Sequence, residues 1–174
     1  MIAKKRLTMY RFTPLLLAFS LLLVTSCSLF KELNLTSDDV TRITSETFDD
    51  DYDMVYYSTL SLLQAEQYTI IEANKESGII RGIQHTERND VEWNLKAFGE
   101  ATERESTEAV FLVLPLPSKH TEVKLSLYHN ELIVTRKNGR NQKQDSRTML
   151  LTESTYNKWL NKLKAEIKRR KRLS

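Results

Sequence analysis

The fold turns on Tyr68-Thr69-Ile70-Ile71-Glu72-Ala73 and Ile79-Ile80-Arg81-Gly82-Ile83-Gln84, joined by Asn74-Lys75-Glu76-Ser77-Gly78. Both flanks are apolar and rich in β-branched residues, and the five residues between them have turn composition. A connection this short cannot hold a helical crossover, so the pair predicts an antiparallel hairpin.

Downstream, Val91, Trp93, Leu95 and Ala97 alternate with Glu92, Asn94 and Lys96, a period of two that predicts a half-buried strand with one wet face. That reading puts Trp93 in the core, with Trp159 as its contact. The polar stretch 99–108 reads as an exposed loop or loose surface helix, and 109–114 as a strand stopped by Pro115 and Pro117. Val123, Leu125 and Leu127 alternate with polar residues, 132–135 makes a further short strand, and Asn138-Gly139 signals a type I′ hairpin turn before 142–151.

Upstream, Thr47 and Asp50 have capping-box spacing, and Asp49, Asp50, Asp51 and Asp53 place negative charge where a helix begins. Phe48, Tyr52, Val55, Thr59 and Leu62 then recur at helical spacing, with Tyr56 and Leu63 widening the stripe. The acidic cluster lacks the glycine and distal glutamate of a calcium-binding EF-hand loop. A last helix is expected over 153–170, capped by Thr152 or Ser154, with Tyr156, Trp159, Leu160, Leu163 and Ile167 on one face. The expectation is an α+β domain over 47–174: an antiparallel sheet of five to six strands with an N-terminal and a C-terminal helix on one face.

The beginning of the chain has a different character. Lys4, Lys5, Arg6 and Arg11 precede an apolar run over 14–24, followed by Thr25, Ser26 and Cys27, the order of a secretion signal. The run is about half the roughly 20 apolar residues needed to span a bilayer. Val24-Thr25-Ser26-Cys27 resembles a bacterial lipobox, which implies cleavage between Ser26 and Cys27 and lipidation of the Cys27 thiol. Ser28 in place of Asp, by resemblance to lipoprotein sorting signals, implies the outer membrane as destination, and a periplasm-facing domain is expected there. Residues 27–46 are polar and read as a flexible tether.

Composition narrows the function classes. The chain has 174 residues, 28% charged and 40% hydrophobic, with 4 Gly, 3 Pro and the single Cys27, which excludes collagen-like and disulfide-scaffold classes. The net charge of +3 comes from the first segment: removing its four bases from 26 leaves 22 against 23 acids. No basic face for nucleic acid is indicated.

No catalytic set, metal site or cofactor motif stands out. His85, His120 and His129 lack metal-ligand spacing, and with Cys27 lipidated no thiol remains for a nucleophile. Asp90 and Glu92 lie near Trp93, but strand alternation would put Glu92 and Trp93 on opposite faces, so no acid/base pair emerges. The one local charge anomaly is Lys168, Arg169, Arg170, Lys171 and Arg172. These five bases either contact an anionic surface or complement the negative end of the last helix.

The stretch 53–83, with its helix, strand, Ser77-Gly78 turn and second strand, resembles the opening of the helix-grip domains in envelope lipoproteins of the BamC, or NlpB, type. Asn74 stands where that pattern has an acidic residue, and one such unit fits here rather than two. The resemblance implies a helix packed across the sheet and a role beside the β-barrel assembly machinery. Two function classes follow: a non-catalytic envelope interaction or assembly-accessory module bound to a protein partner, or a lipid or small-molecule carrier with a cavity between the sheet and the last helix. An envelope hydrolase is a distant third.

Overall fold

The computed structural model describes residues 36–173, so the signal segment, Ser26, Cys27, Ser28 and the tether as far as residue 35 lie outside the described residues. The elements run α1 (Ser37–Thr44), β1 (Ser45–Phe48), α2 (Tyr52–Ala65), β2 (Thr69–Asn74), β3 (Ile79–Thr86), α3 (Val91–Phe98), β4 (Glu100–Pro115), β5 (Thr121–Lys137), β6 (Arg140–Met149) and α4 (Glu153–Lys171). The fold is α+β. Its sheet has six strands, all pairings antiparallel, in the order β1-β5-β4-β3-β2, with β6 also on β5.

The hairpin that decides the fold forms as its residues require. The Asn74 side-chain oxygen accepts the backbone N–H groups of Glu76 and Ser77 at 3.0 and 3.1 Å, an Asx turn that closes the connection. Gly78 follows at φ +74°, and a Cβ there would sit 2.0 Å from the Val113 carbonyl oxygen on β4. Only glycine combines that backbone angle with that approach.

Along each strand alternate side chains share a face. Ile80, Phe111, Val113, Leu125 and Leu127 therefore point one way, and α2 and α4 cover them. Val55, Leu62 and Leu63 of α2 and Tyr156, Leu160, Leu163 and Ile167 of α4 are each at most 4% exposed. At about 25 cal/mol per Å² of apolar area, this layer is the main source of stability.

Four expectations need correcting. The first concerns 91–97, which is helical. Val91 and Leu95 lie one turn apart on its buried side, Lys96 pairs with Glu92 at 2.6 Å, and Gly99 closes the helix. A seven-residue stretch satisfies both periods, and the i,i+4 pair with a following glycine decides between them. The second concerns Trp93, which is 64% exposed and packs edge-to-face on Phe98, whereas Trp159 packs against Tyr68 and Phe111.

The third concerns 99–108 and 132–135, which belong to strands of 16 and 17 residues rather than to a loop and a separate short strand. Over 102–108 of β4 and 140–148 of β6 the side chains are polar on both faces, so no alternation betrays these strands. Cross-strand ion pairs such as Glu103 with Lys143 at 2.7 Å line them instead.

The fourth concerns the start of the domain. Residues 36–46, placed in the tether, form α1 and the start of β1, and Ile43 is buried. Thr36 caps α1 with a reciprocal Thr36–Asp39 capping box. Helix α2 is capped by Asp51, which accepts the Met54 N–H at 2.8 Å, rather than by Thr47, which lies in β1 with Phe48.

Candidate interaction surface

The sheet's second face is largely open. Register and alternation place Ile79, Arg81, Ile83, Val110, Leu112, Glu108, Ser126, Tyr128, Arg147 and Met149 on it. Toward its far end, Ala101 and Val134 lie on the same side beneath α3, forming a small separate cluster with Leu95 and Val91. The two covering helices α2 and α4 thus sit on one face and α3 on the other.

At the centre of the open face is a carboxylate only 5% exposed. Glu108 accepts from Arg81 Nε and Nη2 at 3.1 and 2.8 Å, while Arg147 Nη2 stands 3.0 Å from its other oxygen. Arg81 Nη1 also reaches Glu72 at 3.3 Å, and the Arg147 guanidinium lies 3.8 Å from the centroid of the Tyr128 ring. The hydrogen bonds to Glu108, then to Glu72, hold Arg81 more basic than an ordinary guanidinium against the opposing effect of burial. Each Glu108 carboxylate oxygen thus has an arginine partner. The carboxylate fixes two planar cations across three strands.

The half-buried Ile79, Ile83, Val110 and Leu112 surround this cluster. Apolar strips beside a preorganised arginine are the composition of docking surfaces rather than of catalytic pockets. Sequence reasoning missed the cluster because Glu72, Arg81, Glu108 and Arg147 lie on four different strands and meet only through register.

The five C-terminal bases are brought to different ends. Arg170 Nη2 donates to Ser61 Oγ at 2.7 Å and to the Tyr57 carbonyl at 3.1 Å, Arg169 forks onto Glu166, and Lys171 pairs with Asp50. Glu166 is held below the ordinary carboxylate range chiefly by the hydrogen bonds from Arg169. Lys168 and Arg172 point to solvent without an ion pair among the described residues. Most of the run therefore fastens the end of α4 to the domain.

The histidines stay apart. His120 meets Asp49 at 2.9 Å, His129 lies 3.5 Å from Glu131 and 3.7 Å from Glu105, and His85 is exposed. Among the described residues no group of three or more His, Cys, Asp or Glu side chains is placed to hold a metal ion. No described helix is long and apolar enough to cross a membrane.

A groove of about 240 Å³ opens beside α4, lined by Glu66, Tyr68, Gln84, Thr155, Lys158, Trp159 and Lys162. It falls short of the roughly 300 Å³ at the low end of small-molecule sites. The salt bridge of Lys162 with Glu66 at 2.5 Å crosses it. Between α4 and the sheet proper, Phe111, Leu125, Tyr156 and Leu163 are fully buried. Compared with known proteins, the chain matches no protein-family model and no curated protein.

Proposed function

We propose that this chain is a bacterial envelope lipoprotein, anchored through a lipid on Cys27, whose domain is a non-catalytic interaction or assembly-accessory module. Its partner is another envelope protein, which docks on the open sheet face. The reading of the anchor rests on the basic, apolar and Val24-Thr25-Ser26-Cys27 segments in that order. Ser28 in place of Asp supports the outer membrane as its destination, and we place the domain on the periplasmic side.

The observation that carries the docking role is the Arg81–Glu108–Arg147 cluster amid a half-buried aliphatic strip. Rigid, already paired arginines lose little conformational freedom when a partner covers them. Docking of this kind also suits a domain that presents paired carboxylates instead of a free acid/base set.

The test is photo-cross-linking in the native bacterial host, using the full chain with a photoreactive residue at Ser126 or Val110 and, for comparison, at Asn161 on the outer side of α4. The proposal predicts a discrete adduct from the sheet positions that weakens with Arg147→Glu. No adduct from either sheet position, or equal adducts from Asn161, would overturn it.

A further inference from the structure

The end of the molecule remote from the C-terminal bases carries an unusual surface. Trp93 and Phe98 on α3 are 64% and 72% exposed, and their rings meet at 5.5 Å as one aromatic ridge. A single exposed apolar side chain is ordinary, but two large aromatics packed on each other in water expose apolar area that a fold has no reason to keep.

Beside this ridge is the β5–β6 turn. Asn138 and Gly139 both have positive φ, 52° and 74°, giving the expected type I′ hairpin. The Arg136 N–H donates to the Gly99 carbonyl at 2.7 Å, which fastens the hairpin to the end of α3 directly after Phe98. Glu92 on α3 is held below its usual carboxylate range, first by the hydrogen bond from Lys96 and more weakly by the charge of Arg136, consistent with a guanidinium close to the helix.

The turn is basic, although the charge of Arg136 reaches Glu92 and its Nε donates to Asn141 at 3.4 Å. Arg136, Lys137 and Arg140 are exposed and form no ion pair among the described residues. Lys137 and Arg140 are direct cross-strand partners, a like-charge pair that costs stability. Basic residues on a strand edge discourage aggregation, but that explanation leaves the adjacent aromatics without a purpose.

We propose that this tip binds an anionic phospholipid surface, with Trp93 and Phe98 entering the headgroup region and Arg136, Lys137 and Arg140 meeting lipid phosphates. Tryptophan favours the membrane interface because its ring is apolar with one polar N–H, and clustered bases are attracted by anionic headgroups. The complementarity is of charge and of polarity together.

The orientation rests in part on the lipid anchor proposed above. From Cys27 to Thr36 the chain can span at most about 32 Å. Strand β5 alone, from the Thr121 end beside Asp50 to the Lys137 tip, runs about 50 Å. An anchored domain therefore has Thr36 within about 32 Å of the lipid. Lipid contact is thus assigned to the hairpin tip instead of the run 168–172, most of which has internal partners.

Tryptophan fluorescence tests this directly, since Trp93 and Trp159 are the only two tryptophans. The full chain carrying Cys27→Ser, which lacks any lipid on residue 27, is mixed with vesicles containing brominated phosphatidylglycerol. Expected is a fall of emission that disappears in Trp93→Phe, and a weakening of vesicle affinity by about 10- to 100-fold in the triple Arg136→Ser, Lys137→Ser, Arg140→Ser variant. Emission unaffected by the vesicles, quenching that persists in Trp93→Phe, or quenching indifferent to the three bases would each overturn the proposal. Both sets of substitutions are on exposed side chains, so folding is preserved. The anchor is judged separately by protein mass, so the failure of one idea is distinguishable from that of the other.

Discussion

The backbone N–H of Leu127 donates to the phenol oxygen of Tyr156 at 3.2 Å. Strands β1 and β6 lie end to end along one edge of β5, pairing with residues 121–124 and 128–137, which leaves Leu127 in the gap. The Leu127 carbonyl accepts the Leu150 N–H at 2.9 Å. A helix side chain and a loop amide thus complete the ladder that the strands do not.

Tyr156→Phe leaves a buried amide without its acceptor, at an expected cost of about 1–3 kcal/mol measured by chemical denaturation. Burial raises the pKa of this phenol above its ordinary value of 10, despite the bond from Leu127. The folded state therefore keeps a proton that the unfolded chain releases, so the stability is complete below about pH 10 and is lost as pH rises through the folded value. The same variant should show a shallower alkaline loss of stability, with the Tyr68, Tyr56 and Tyr52 phenols, also raised, contributing to the remainder.

At Gly78 the expected change is larger. Alanine would bring a Cβ to 2.0 Å from the Val113 oxygen at a φ of +74°. Strand β4 would have to move, so Gly78→Ala should cost about 2–4 kcal/mol, or prevent folding, in thermal or denaturant unfolding.

Glu108→Ala leaves Arg81 and Arg147 facing each other across the open sheet. A loss of about 1–3 kcal/mol is expected. In a double-mutant cycle Arg147→Ala should cost less in the Glu108→Ala background than in the native one. Additive losses would mean that the two side chains are energetically independent.

The C-terminal bases should divide by partner. Arg170→Ala removes the bonds to Ser61 and Tyr57 and should cost about 1–2 kcal/mol, whereas Lys168→Ala, on an exposed side chain, should stay within about 0.5 kcal/mol. Equal effects on unfolding midpoints would mean that the run acts only through its total charge.

The parts of the fold legible in sequence are those where one face is buried and the other wet. Val55, Thr59 and Leu62 on α2, Tyr156, Leu160 and Leu163 on α4, and the hairpin about Gly78 each carry a period or turn residue that only one structure satisfies. The ribbon of Thr102, Glu103 and Arg104 was illegible because its stability lies in pairing with residues some thirty positions away, such as Ile133 and Leu132. Trp93 misled for a related reason: alternation over seven residues fits a strand, which would put Trp93 on the buried face opposite Glu92, Asn94 and Lys96. The cluster of Arg81, Glu108 and Arg147 required register, which a list of residues does not contain.

The central claim is that Cys27 carries a lipid that holds this domain at the envelope. Intact mass of the protein extracted from membranes of its native host, beside the Cys27→Ser variant, tests it most directly. The account predicts a mature chain beginning at residue 27 with added acyl mass, and its loss in the variant. A chain of unmodified mass, whether cleaved elsewhere or not at all, would contradict it.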